Sequence, residues 1–343
     1  MTYEKWIDVA KGIGILLVIL GHNNFDQSFL TVVHTFNMPL FFFISGYLYH
    51  YKKYKLNPKY FVFQKFKRLV VPYLVTNIII LCTYFLLSFL KLSSFNNRTP
   101  LRYLVGVFYG NGAPLNPSTI FTNSLSVPSW FLLGLFCASI ILYIIAYSHE
   151  RYGLACSSLL SFLIILFGFK ISKYTYLPWS FDIACVSMIF MFSGYLINYY
   201  RVRQLQSSFR NNLYSLVFVL LLPFVISING AVDMNTRTYS NLLFFGIGGL
   251  LGTYITIQVA REISKKEDLL TRIFTYLGKN SIIILLYHTF VPIVILNIVD
   301  PVFNIKEVII NSPVLYSLTM LVFSIMMIIA IKRVPVLDRV YST

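Results

Sequence analysis

LVVPYLVTNIIILCTYFLLSFL, Leu69–Leu90, runs for 22 residues without an Asp, Glu, Lys or Arg. The hydrocarbon core of a bilayer takes about 20 mostly apolar residues as a helix, so this stretch by itself predicts a membrane span. Working outward, Val127–Tyr147, Leu213–Ile228, Leu242–Ala260, Ser281–Val299 and Val314–Ile331 are equally free of those four residue types. Leu154–Phe169 is short but clean, and Leu177–Tyr200 is interrupted only by Asp182. Two weaker segments come first, Trp6–His22 and Phe36–Tyr49 with Pro39 inside. The reading is an all-α polytopic membrane protein of about ten transmembrane helices, one domain over residues 1–343. Long apolar runs without alternation are wrong for an outer-membrane barrel.

Composition agrees. The chain is 57% hydrophobic and 12% charged, with a mean hydropathy of +0.72, whereas a soluble domain carries roughly 25% charged residues. The net charge of +16 does not require nucleic acid, because membrane proteins concentrate cations on the cytoplasmic face. With the N-terminus inside, 21 of the 28 lysines and arginines fall on inner segments and 7 on outer ones, among them Lys91, Arg98 and Arg237. That asymmetry puts both termini in the cytoplasm. Cys82, Cys137, Cys156 and Cys185 lie inside apolar runs without metal-ligand spacing and read as packing residues. The first span carries Asp8 and Lys11 and no cleavage site follows it, so it reads as retained rather than as a signal peptide. The longest outer loop, Lys91–Ser126, is too short for a separate enzymatic domain, so any chemistry belongs to the membrane body.

Charged groups in a span cost about 2.5–3.5 kcal/mol each on insertion scales, and each needs a reason. In WIDVAKGIGILLVILGH, Trp6–His22, a helical turn of about 100° per residue puts Asp8, Lys11 and His22 on one face. The set is either a cationic anchor leading to a buried imidazole, or an Asp8–Lys11 surface pair with His22 at the helix end. His288, in LGKNSIIILLYHTF, is either a second reactive imidazole or a neutral histidine bonded across helices. His34 and His50 flank the second span, and His149 is expected to be solvated in a short inner loop. Asp182, in LPWSFDIA, either orients a hydroxylated substrate or caps a helix. Trp130, in VPSWFLLGLF, is either an interfacial anchor or a stacking platform for a sugar. Lys65 and Arg68, in QKFKRLVVPY, share a helix edge suited to phosphates, within a cluster that also serves topology and anionic lipid. No Walker loop, dinucleotide fingerprint, HExxH or GxSxG is present.

These blocks together resemble membrane acyltransferase family three, in particular its fucose 4-O-acetylase-like sugar O-acetyltransferases. WIDVAKGIGILLVILGH, NMPLFFFISGYLY (Asn37–Tyr49), QKFKRLVVPY (Gln64–Tyr73), PSWFLLGLF (Pro128–Phe136), LPWSFDIA (Leu177–Ala184) and LGKNSIIILLYHTF (Leu277–Phe290) occur in the family's order. Lys11 and His22 match a basic residue, ten residues, then histidine, with lysine where many members have arginine. Lys65 and Arg68 match a basic pair usually made of two arginines, so part of the bidentate fork is lost. The acidic residue other branches carry near the Trp130 position is missing, and no fused C-terminal esterase-like domain is expected.

The resemblance implies transfer of an acyl group, usually acetyl, from acetyl-CoA to a hydroxyl of an envelope or exported polysaccharide, without a metal. It places the protein in the bacterial cytoplasmic membrane, among lipids and a lipid-linked or nascent carbohydrate acceptor. His22 is then the general base or a transient acyl carrier. Lys11, Lys65 and Arg68 hold the phosphates of the donor, and His288, Trp130 and Asp182 shape or orient the acceptor. The competing class is a transporter or flippase of lipid-linked sugars, which predicts inverted repeats and discontinuous helices; the sequence displays neither.

Overall fold

Polar caps and prolines set the ends of the helices. The computed structural model describes residues 4–90, 100–113, 126–200 and 208–342. Most of the loop at Lys91–Ser126, with Lys91 and Arg98, lies outside the described residues, as do Arg201 and Arg203. α1 spans Lys5–Gly21 and α2 Gln27–Tyr47, the latter capped by Asp26, whose carboxylate accepts the Ser28 N–H at 2.9 Å. Hydrogen bonds from Ser28 hold the Asp26 carboxyl below the usual carboxylate range. After the short α3 (Tyr51–Tyr54), Asn57 caps α4 (Pro58–Lys65), and Pro58 occupies a first-turn position that needs no N–H. A π-helical turn, Phe66–Val70, leads into α5 (Val71–Phe89). Pro72 explains it: a proline lacks the N–H for the Arg68 carbonyl and its ring collides with that carbonyl in a regular helix, so the turn widens.

α6 (Pro100–Tyr109) precedes a 3₁₀ turn, Val127–Ser129, which opens α7 (Trp130–Ile171). As one straight helix α7 would be roughly 63 Å long, twice a bilayer core. It is instead a hairpin. Gly153 has φ 83° and ψ −176°, a conformation that L side chains avoid. The Ser148 hydroxyl then meets Cys156 Sγ at 3.5 Å, although eight helical residues would separate them by roughly 12 Å. α8 (Phe181–Val186) and α9 (Met188–Tyr199) follow, bent by 59°, then α10 (Ser208–Asn229) and α11 (Leu242–Ser264). α12 (Leu269–Lys279) and α13 (Ser281–Tyr287) form a second bent pair, at 65°. α14 (Phe290–Phe303), α15 (Lys306–Asn311), α16 (Pro313–Arg333) and α17 (Pro335–Tyr341) complete the chain.

Among the described residues, five helical stretches are long and apolar enough to cross a membrane, or seven if each bent pair is one span. Large apolar side chains such as Phe89, Phe108, Leu220 and Leu243 face outward, while Asp8, Thr76, Asn77, Asp182 and His288 are buried. The chain is therefore an all-helical polytopic membrane protein. Two expectations are corrected. Ser281–Val299 is not one helix, because α13 stops before His288 and α14 starts at Phe290; Pro292 cannot satisfy the His288 carbonyl four residues before it. Discontinuous helices, invisible in the apolar pattern, are present as the two bent pairs.

The element that carries His22 is locked to the one that leads to His288. α1 and α12 cross with their backbones touching, at Gly12 and Gly278. A Cβ on Gly278 would fall inside the Asp8 carbonyl, and one on Gly12 inside the Phe274 carbonyl. A methyl that meets backbone cannot be accommodated by a rotamer change. Gly278→Ala should therefore cost at least the roughly 1–3 kcal/mol typical of overpacking and lower the thermal midpoint in detergent. A parent-like midpoint would show that the crossing is loose.

Candidate active site

His22 caps the end of α1 and donates its Nδ1–H to the Val18 carbonyl at 2.8 Å. His288 sits in the break between α13 and α14, its Nδ1–H shared by the carbonyls of Ile284 (2.9 Å) and Leu285 (3.0 Å). A carbonyl only accepts, so Nδ1 carries the proton in both rings and Nε2 of each neutral imidazole keeps its lone pair. The rings meet edge to face, centroids 4.8 Å apart and planes at 82°. His22 is exposed, whereas His288 has no exposed surface. His288 Nε2 is buried without a hydrogen-bond partner among the described residues. Buried polar atoms are nearly always paired, so the unpaired lone pair of His288 Nε2, beside a second histidine, is open to accept a hydrogen bond.

Trp130 lies at the same end of the molecule. The Ser126 hydroxyl donates to the Leu286 carbonyl at 2.9 Å, two residues before His288, and the Ser129 hydroxyl returns to the Ser126 carbonyl at 2.6 Å. These bonds tie the start of α7 to the segment that bears His288. Trp130 itself is buried, not an interfacial anchor. Its ring and Asn235 Oδ1, which has no partner among the described residues, both face Gly112.

Asp182 neither caps a helix nor opens to a substrate. Its carboxylate is fully buried and receives both Arg237 Nε (2.7 Å) and Nη2 (3.2 Å). The guanidinium also donates to Asn111 Oδ1 and to the Asn235 carbonyl, each at 2.6 Å, and stacks over Tyr176 at 4.1 Å. Three segments that share no secondary structure, around Asn111, Leu177–Asp182 and Asp233–Thr238, are thereby clamped together beside Trp130. Trp179 and Ser180 hold φ of 58° and 51° within this clamp, a left-handed backbone that costs non-glycine residues energy.

Lys65 and Arg68 are brought together at the opposite end. They line a cavity of about 470 Å³ with Lys53, Lys67, Tyr49 and Gln64, and among the described residues no carboxylate lines it. The cavity lies where α2 ends. Glu4 accepts from Trp6 Nε1 (2.6 Å) and from the Tyr47 hydroxyl (3.2 Å), which puts the end of α2 level with the start of α1. His34, early in α2, bonds the Gly21 carbonyl at 3.0 Å. The cavity and the histidine pair are thus separated by the length of α1, about 25 Å for 17 residues.

Lys11 stands on α1 between the two and is paired with Asp8 at 2.7 Å, which uses one of the three ammonium donors. His149 is not solvated. It is buried between Tyr195 (3.1 Å) and Tyr200 (3.0 Å), because the chain reverses at Gly153 and no loop forms at His149. Among the described residues no group of three His, Cys, Asp or Glu side chains could hold a metal ion.

A family model described as an acyltransferase domain matches residues 4–333. Comparisons with curated proteins and with solved structures gave no match.

Proposed function

The chain belongs to membrane acyltransferase family three, whose domain covers residues 4–333, and on that premise we propose that it moves an acetyl group from cytoplasmic acetyl-CoA to a hydroxyl of an envelope or exported polysaccharide. The observation that carries this reading is the separation just described. A cationic cavity at one end of α1 and two imidazoles at the other, about 25 Å away, suit a ligand with a polyanionic head and a long neutral arm. Coenzyme A has that form: its phosphates would rest on Lys65 and Arg68, its arm would pass Lys11, and its thioester would reach His22.

His22, as general base, takes the proton of the acceptor hydroxyl through Nε2 while the oxygen attacks the thioester carbonyl carbon. A C–O bond forms, the C–S bond breaks, and the proton returns to the departing thiolate. An acyl group carried briefly on the imidazole is the variant. His288, whose ring meets that of His22 edge to face, would orient the acceptor hydroxyl through the free lone pair of Nε2. Trp130, buried against Gly112, would shape the acceptor end of the site from behind, and Asp182 acts through Arg237 by holding the surrounding segments in place. The excess of basic residues on one set of segments, 21 of 28, supports a reading of ten spans with both termini in the cytoplasm of a bacterial cell, in which the cavity would be inside and the histidines at the outer side.

The test is transfer of label from acetyl-CoA by the purified protein in liposomes, with crude envelope glycan as acceptor. Label should move to carbohydrate. Failure of the folded protein to bind acetyl-CoA at all would overturn the reading, and sugar transport without transfer would favour the transporter that the bent helix pairs would also suit.

A further inference from the structure

α17 (Pro335–Tyr341) lies beyond residues 4–333, the part of the chain that the family domain covers. The extended backbone at Val334 (φ −104°, ψ 105°) ends α16, and Pro335 opens α17 at a position that needs no N–H. The short helix packs on α5 and on the π-helical turn before it, and its last residue is buried. There the Tyr341 hydroxyl lies 2.7 Å from Thr76 Oγ1 on α5 and 2.8 Å from the Tyr287 hydroxyl at the end of α13. Thr76 and Tyr287 are buried as well. Burying a hydroxyl is costly unless it is hydrogen-bonded, and Tyr341, between the other two, pairs with both. The rings of Tyr287 and Tyr341 stand 6.1 Å apart, their planes at 60°.

Tyr287 immediately precedes His288, and α13 is only seven residues long. The His288 ring is tied through Nδ1 to the Ile284 and Leu285 carbonyls of that same helix, so its Nε2 points wherever α13 is turned. Two bonds from remote parts of the chain fix that turn. Ser126 holds the Leu286 carbonyl at 2.9 Å, and Tyr341 holds the side chain of Tyr287. We propose that Tyr341 is a positioning residue, which through the Tyr287 hydroxyl fixes the segment that aims His288 at the acceptor. This rests on the acyl-transfer reading and the role given there to His288, and it adds to the site a helix outside the family domain. Tyr341 touches no substrate; its effect is on geometry, and a misplacement of about 1 Å can cost about 10²-fold in rate.

The experiment is single-turnover transfer from labelled acetyl-CoA to envelope glycan by the full chain in liposomes, beside equilibrium acetyl-CoA binding. A loss of folded protein lowers the amplitude of a single turnover, whereas a misaimed group lowers its rate constant. Tyr341→Phe keeps the ring and removes the oxygen. It should lower the rate constant by about 10–10²-fold and leave amplitude and acetyl-CoA binding at the parental level. Tyr287→Phe should do the same, and the double variant should lose no more than either single one, because both remove one interaction. Thr76→Val strips the other bond of the same phenol and leaves Tyr341 on Tyr287, so it should keep the parental rate constant. A parental rate constant for Tyr341→Phe, or a loss of amplitude alone, would overturn the proposal. Losses that multiply in the double variant would do so too, and so would an equal fall in rate constant for Thr76→Val, which would make the three hydroxyls a stabilising contact only. If the parent binds acetyl-CoA and transfers no label, the acyl-transfer reading falls, and the role of Tyr341 with it.

Discussion

His22→Ala is expected to slow acyl transfer by about 10²–10⁴-fold, the contribution of a positioned general base, and to leave donor binding unchanged. The two effects separate because the cations proposed to hold the donor line a cavity a full helix away. Single-turnover transfer from labelled acetyl-CoA measures the first, and equilibrium binding the second. His288→Phe keeps an aromatic edge against His22 and removes the unpaired Nε2. A loss comparable to that of His22→Ala would put both imidazoles on the route of the proton. Parent rates for His22→Ala would take the histidine pair out of the reaction altogether.

The second large effect concerns stability. Arg237→Met leaves the Asp182 carboxylate buried with no counter-charge, and removal of one partner from a buried pair costs about 3–5 kcal/mol. The cost is raised by what else the guanidinium does, since it also bonds Asn111 and Asn235 and stacks on Tyr176. The thermal midpoint should fall steeply. Adding Asp182→Asn should recover part of the loss, because a neutral amide is cheaper to bury than an unpaired carboxylate. If Arg237→Met melts like the parent, the ion pair is not structural and Asp182 is free to meet a substrate.

Much of this site could be read from the chain before its folding was known, where the signal was local. The shared face of Asp8, Lys11 and His22 is a consequence of helical period, and so is the Asp8–Lys11 contact that the structure contains. The end of α1 and the bounds of α11 and α16 fall within a few residues of the apolar runs. What stayed hidden depends on distance along the chain. Asp182 meets an arginine 55 positions away, and nothing in TRTYS marks Arg237 as its partner rather than one more outer cation. His288 falls at a helix break because Pro292 interrupts a stretch that hydropathy reads as continuous. The hairpin of α7 turns on one glycine, so a residue expected in solvent, His149, ends among tyrosines.

The placement of the cations carries an electrical consequence. Moving one elementary charge across a membrane costs about 2.3 kcal/mol per 100 mV. In the arrangement proposed, every charge on the donor stays with Lys53, Lys65, Lys67 and Arg68 at one end of α1, and only a neutral acyl group travels past the middle of the bilayer. The proton taken at His22 returns to the leaving sulfur on the same side. Turnover is then electroneutral: the protein neither draws on the membrane voltage nor dissipates it, and a cell whose membrane is depolarised would keep modifying its glycans at an unchanged rate.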